Sequence, residues 1–266
     1  MNKFKLLTAL SMMITSFSTF AAQPVSDLYQ ESYALYALYH PDNKSQSTQA
    51  LMTQYSQDYA DLFKQSKQVN LDQYIAYEQA RITDLMKQRR EMSLKQTYVR
   101  FGILDADKNQ KMTLKEFQAS GMRSFDEMDK NKDGLINEED IRLASKDAST
   151  HDGFKVRLPI AMPMANTAEE FIQKYGNAKS YVTLGDYLTS RDQQFMHTDS
   201  NKDFIVTEQE YVNEFMQRYD ENTVQGIEKM KGISQRQFQA MAQKKNMITA
   251  KDIAKFAKDL DKKISQ

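Results

Sequence analysis

Asp129-Lys130-Asn131-Lys132-Asp133-Gly134-Leu135-Ile136-Asn137-Glu138-Glu139-Asp140 decides how this chain is read. Oxygen-bearing side chains stand at alternate positions, Asp129, Asn131 and Asp133. Gly134 then allows a sharp turn, Leu135 offers a backbone carbonyl, and Asp140 closes the stretch. A hard cation such as calcium takes six to eight oxygens, and a short loop of this form can supply them. The closing acid is Asp where a longer Glu is expected. That change favours weaker calcium binding and makes magnesium a candidate ion at 129–140.

Two further stretches repeat the pattern. In the first, Asp105, Asp107, Asn109, the Lys111 carbonyl and Glu116 form the ligand set, with Thr113 acting through water. In the other, Asp199, Asn201, Asp203, the Ile205 carbonyl and Glu210 do so. Gln110 and Phe204 occupy the glycine position, which requires positive φ. That conformation costs a non-glycine residue about 1–2 kcal/mol.

Apolar residues flank each loop at helical spacing. Phe101, Leu104 and Phe117 surround the first, Phe125, Met128 and Ile141 the second, and Phe195, Tyr211 and Phe215 the third. The eighth positions, Met112, Ile136 and Val206, are suited to bridging two loops as a short antiparallel ladder. The first two loops start 24 residues apart, which is read as the spacing of one pair. Counting the same interval back from Val206 reaches Val182, in Tyr181-Val182-Thr183-Leu184-Gly185-Asp186. This marks a degenerate loop, 175–186, expected to pair with the third loop and to bind nothing. Gly232-Ile233-Ser234 with Phe238, Met247-Ile248-Thr249 with Asp252, and Val69-Asn70-Leu71 are fainter echoes.

On these motifs the region from Val99 to Glu214 resembles the EF-hand family, in particular secreted bacterial EF-hand proteins. The resemblance implies an all-α fold of helix–loop–helix EF-hand pairs, loops joined by a short β bridge, and calcium as ligand. The expected pairs are 96–145 and 168–221, separated by a linker at 146–167. A helical region, 22–95, precedes them. Tyr29, Tyr33, Tyr36 and Tyr39 recur there at helical spacing and read as core packing. Helical patterns also cover Gln49–Gln65 and Leu71–Arg100.

Residues 222–266 carry ten Lys and Arg against four acids. They form a basic helical region with Ile253, Ala257, Leu260 and Ile264 on one face, suited to packing, to a partner, or to folding back on the acidic third loop.

The first residues, Met1-Asn-Lys-Phe-Lys5, are basic. An apolar run to Phe20 and the small residues Thr19 and Ala21 follow, which is the pattern of a cleaved signal peptide, 1–21. A periplasmic or secreted location is expected, with no transmembrane segment in the mature chain. Across 266 residues there are 36 basic and 36 acidic side chains, so no nucleic-acid partner is expected. The absence of Cys excludes disulfides, thiolate metal sites and a thiol nucleophile. No G-x-S-x-G, phosphate-cradling glycine loop or H-E-x-x-H is present, and no enzymatic activity is expected. The function expected is calcium binding, as a stabilised or buffering module in the ~10⁻⁴–10⁻³ M range of extracellular sites. The alternative is a calcium-responsive protein or regulatory subunit that recruits a cell-envelope protein through an apolar groove. Sixteen Met residues are compatible with either.

Overall fold

Two 15-residue helices set the plan of the molecule, α4 (Leu114–Met128) and α7 (Leu184–Thr198). Each starts at a threonine cap. The Thr113 and Thr183 hydroxyls accept from the amides of Glu116 and Asp186, whose carboxylates accept in return from the threonine amides. These reciprocal caps satisfy amides that a helix start leaves without partners. Each helix ends at an aspartate whose N–H donates to a phenylalanine carbonyl, Asp129 to Phe125 and Asp199 to Phe195.

The two helices pack antiparallel, with Phe117 beside Phe195 and Phe125 beside Tyr187. Arg191 fixes the contact. Its guanidinium lies 3.5 Å from the centroid of the Phe117 ring and donates to the Phe117 carbonyl and the Ser120 hydroxyl. Gly121 leaves room for that side chain, since a Cβ there would stand 3.2 Å from the Arg191 Nε.

The structure is a computed structural model that describes residues 28–41, 48–147 and 157–264. The expected signal peptide lies outside them. Among the described residues the chain is mostly helical, as an all-α class requires. No described helix is long and apolar enough to cross a membrane.

The loop pairing differs from the one the spacing suggested. Strand β1 (Lys111–Thr113) pairs antiparallel with β4 (Ile205–Thr207), which places Met112 opposite Val206. Strand β2 (Leu135–Ile136) pairs with β3 (Val182–Thr183), which places Ile136 opposite Val182. The first loop therefore joins the third, and the second joins the degenerate loop. The reason is geometric. A 24-residue interval holds one loop and one helix, and that helix, α4, is about 22 Å long. It carries the first and second loops at opposite ends. The antiparallel contact of α4 with α7 then brings each loop beside one from the other half of the chain.

The same logic extends outward. Helix α3 (Leu71–Leu104) enters the first loop, and α8 (Glu208–Ala242) leaves the third. They pack along each other, and a further bridge joins Val69 to Ile248 beyond them. Two of the faint echoes thus form a third rung. The third echo, at Gly232, lies inside α8 and forms no loop. Helix α2 (Thr48–Asp58) and α9 (Ala250–Ile264) flank the outer rung and pack together. At the other end α5 (Glu138–Asp147) meets α6 (Ala168–Tyr175) beside the second loop. Among the described residues three rungs are nested between two antiparallel rails. The boundaries expected at 95/96 and 221/222 fall inside α3 and α8, so the outer regions continue the rails.

Helix α1 (Leu28–Tyr39) lies across α8 and α9. Its tyrosines pack as expected: Tyr29 stacks on Phe256, and Tyr36 is buried beside Tyr55. Arg81 of α3 sits over the rings of Tyr39 and Tyr59, 4.3 and 4.9 Å from their centroids, and pairs with Asp58 and Glu78. Helix α9 buries Ile253, Ala257 and Leu260 against this outer core. It packs on α1, α2 and α8, the first of the arrangements open for it. The end of the expected linker is packed as well. Leu158 and Ile160 are buried, and Gly226 of α8 lies so close that a Cβ would meet the Ile160 Cα at 2.7 Å.

Candidate metal centre

The three acidic loops share one hydrogen-bond scheme, because each begins with a buried aspartate. Its carboxylate receives the backbone amides of the fifth and sixth positions. Asp105 accepts from Asn109 and Gln110 at 3.1 and 2.8 Å. Asp129 accepts from Asp133 and Gly134 at 3.2 and 3.0 Å, and Asp199 from Asp203 and Phe204 at 3.2 and 2.8 Å. The fifth side chain accepts from the seventh amide: Asn109 from Lys111, Asp133 from Leu135, and Asp203 from Ile205. The loops are thus wound with their oxygens facing inward.

Winding this tight needs left-handed backbone. Gln110, Gly134 and Phe204 have φ of 65°, 86° and 63°, as the pattern required of the sixth position. The fourth positions, Lys108, Lys132 and Lys202, are left-handed too, at 59°, 62° and 60°. That second turn was not read from the sequence, because Lys carries no turn signal. Phe204 gains no packing in return and is 65% exposed.

The closing acid links the two ends of each loop. Glu116 Oε1 accepts from the Ala106 amide at 2.9 Å, while Oε2 accepts from the Thr113 amide at 2.8 Å and its hydroxyl at 2.7 Å. Glu210 does the same with Ser200 and Thr207. Asp140, although one methylene shorter, reaches both the Lys130 amide at 2.7 Å and the Asn137 amide at 2.9 Å, and is fully buried. Thr113 is also the cap of α4. Burial pushes the Glu116 carboxyl up, but the bonds from Thr113, Ala106 and Asp107 outweigh it and the net shift is down. Glu210 follows the same balance, with Thr207, Ser200 and Asn201 as donors. In both, these bonds favour the carboxylate form.

Among the described residues one carboxylate trio converges. One oxygen each of Asp105, Asp107 and Glu116 lies within 4.8 Å of the others. In the second and third loops Asn131 and Asn201 stand where Asp107 stands, and the remaining acid is two residues further on, at Asp133 and Asp203. All these donors are oxygens, which fits a hard divalent cation and disfavours softer metals.

Against family models, curated proteins and solved structures, the chain finds no match. Its functional reading therefore rests on the loops.

The sequence left two side chains unassigned. Lys179 Nζ lies 2.5 Å from Asp186 Oδ2 in the degenerate loop, and Lys245 Nζ lies 2.7 Å from Asp252 Oδ1 in the outermost one. Both lysines are fifth in their loops when counted back from the closing acid. That register was the signal available to find them.

Proposed function

We propose that this chain is an exported calcium-binding protein of EF-hand type, whose loops 105–116, 129–140 and 199–210 hold the ion. The observation that carries the reading is the convergence of Asp105, Asp107 and Glu116 at one point of a loop wound around its own oxygens. The matching hydrogen bonds in the other two loops extend it to them. Export rests on the N-terminal pattern of residues 1–21. Bound calcium would tie the two ends of a loop together, and through the Met112–Val206 ladder it would draw the rails together. The role that follows is stabilisation or buffering where calcium is millimolar. Magnesium is a competitor at 129–140, where the closing acid is Asp140.

Calorimetric titration of the metal-stripped mature chain at physiological magnesium tests this. Two or three bound calcium ions are expected, with one fewer in Glu116→Gln. No binding up to several millimolar calcium would refute it.

One feature favours the responsive alternative. A cavity of about 610 Å³ between α1, α3, α8 and residues 157–167 is lined by Met86, Met92, Met162 and Met164. Methionine surfaces adapt to varied partners. A rise in hydrophobic-dye fluorescence on adding calcium would select that alternative. A higher melting temperature without dye binding would select the stabilised module.

A further inference from the structure

The loops that lack ligand acids are not simply worn-down copies. In 175–186 the side chains at the first and fifth positions are Tyr175 and Lys179, and in 241–252 they are Met241 and Lys245. The closing Asp186 and Asp252 nevertheless cap their helices as Glu116 does, accepting from the amides of Thr183 and Thr249 at 3.0 and 2.9 Å. In both loops the fifth-position ammonium touches that closing carboxylate, at 2.5 and 2.7 Å. In the acidic loops the fifth position is an oxygen acceptor, Asn109, Asp133 or Asp203. An ammonium has three donors and no acceptor, so it removes a ligand and adds a positive charge.

We infer that Lys179 and Lys245 are resident cations: each occupies its loop in place of a divalent ion, excludes that ion, and holds the loop closed without it. The same arrangement in two loops 66 residues apart is the observation that carries the inference. The Asp186 carboxyl is held down to about 2 by the hydrogen bond from Lys179 and by the Thr183 bonds. The consequence is a graded ladder. The Val69–Ile248 rung is independent of metal, because 62–73 has no closing acid and 241–252 has its own cation. The Ile136–Val182 rung has one metal loop and one lysine loop. The Met112–Val206 rung has two metal loops. The inference deepens the calcium reading and rests on it only for what the lysines replace.

Hydrogen exchange by mass spectrometry on the full mature chain tests it. In chelator, Lys245→Gln is expected to speed exchange at the Thr249 amide, and Lys179→Gln at the Thr183 amide, by about two- to fivefold for pairs this exposed. Lys→Arg at either site keeps the charge and should restore most of the protection. Unchanged exchange in both Gln variants would overturn the inference. So would a gain of protection at 249–252 when calcium is added to the unaltered chain. The calcium reading is scored separately, by protection at 112–116 and 206–210 on adding calcium, so its failure is distinguishable from failure of the lysine result.

Discussion

The nested pairing makes a prediction that the linear spacing of the loops contradicts. Met112 is fully buried and faces Val206 across the ladder, within a cluster completed by Phe101, Phe117 and Phe195. Ile136 is equally buried but belongs to a separate cluster with Val182, Phe125 and Tyr187. Met112→Ala and Ile136→Ala should each cost about 2–5 kcal/mol, as expected for truncating a buried Met or Ile. Their combination distinguishes the two pairings. Residues in contact couple by about 0.5–3 kcal/mol, whereas sites more than about 10 Å apart add to within about 0.5 kcal/mol. The 15-residue helix α4 holds the two loops about 22 Å apart. A double-mutant cycle of Met112→Ala with Val206→Ala should therefore show coupling, and one of Met112→Ala with Ile136→Ala should not. Urea unfolding followed by circular dichroism measures both, since the chain has no Trp to report by fluorescence. Coupling larger in the Met112/Ile136 cycle than in the Met112/Val206 cycle would refute the nested ladder.

Other consequences follow from the loops and the outer core. Gly134 has φ of 86° and open space where a Cβ would stand, so Gly134→Ala tests backbone strain alone. A cost of about 1–2 kcal/mol, offset by about 0.4–1 kcal/mol from a stiffer unfolded chain, should lower the melting temperature; Phe204→Gly should not lower it, and the opposite ranking would sink the strain argument. In chelator, stability should fall with acid. The carboxyls of Glu116, Asp186, Glu210 and Asp252 are all shifted below their ordinary values, so their contribution is full above the unfolded pKa near 4 and is lost as pH falls through the folded values. Glu78, pushed up by burial against the pull of Arg81, opposes them as one group against four. A melting temperature that rises between pH 5 and pH 3 would contradict this. Arg81→Met strips Asp58 and Glu78 of their shared cation and should cost about 3–5 kcal/mol; a loss under about 1 kcal/mol would show that the tyrosine cage does not depend on that charge.

Much of the site was legible because loop chemistry is local. Alternating oxygens, a sixth residue at positive φ and an apolar eighth residue are all fixed within twelve positions. Met112, Ile136, Val182 and Val206 were therefore placed correctly as bridging residues. Their partners were not, because an interval of 24 residues specifies a helix between two loops without specifying what that helix packs against. The long-range contacts that decide it, Arg191 over Phe117 and Gln118 donating to Asp192, join residues 74 apart. The outermost rung was faint for another reason. Its loops keep the bridging residues Val69 and Ile248 but have none of the alternating acids, so only shape persists there. Tyr39 was legible as part of a helical stripe, but Arg81 over its ring was not, since a buried ion pair leaves no periodicity of its own.

The closing residue of each loop caps a helix independently of the acids before it, and this explains how the ladder persists where those acids are missing. In every loop it is the third residue of a helix and bonds back to the cap: Gln73 to Asn70, Glu116 to Thr113, Asp140 to Asn137, Asp186 to Thr183, Glu210 to Thr207, and Asp252 to Thr249. Such caps contribute about 0.5–2 kcal/mol each whether or not an ion is present. A loop that loses its acids at the first, third and fifth positions therefore still starts a helix and still offers an eighth residue to a rung. The uncharged Gln73 shows that capping needs only an acceptor, whereas binding a cation needs the charge. All six caps are kept, whereas the alternating oxygens are confined to three loops. The acidic loops then lie on the inner rungs, where each bridges the two rails at a point the α4–α7 contact has already brought together.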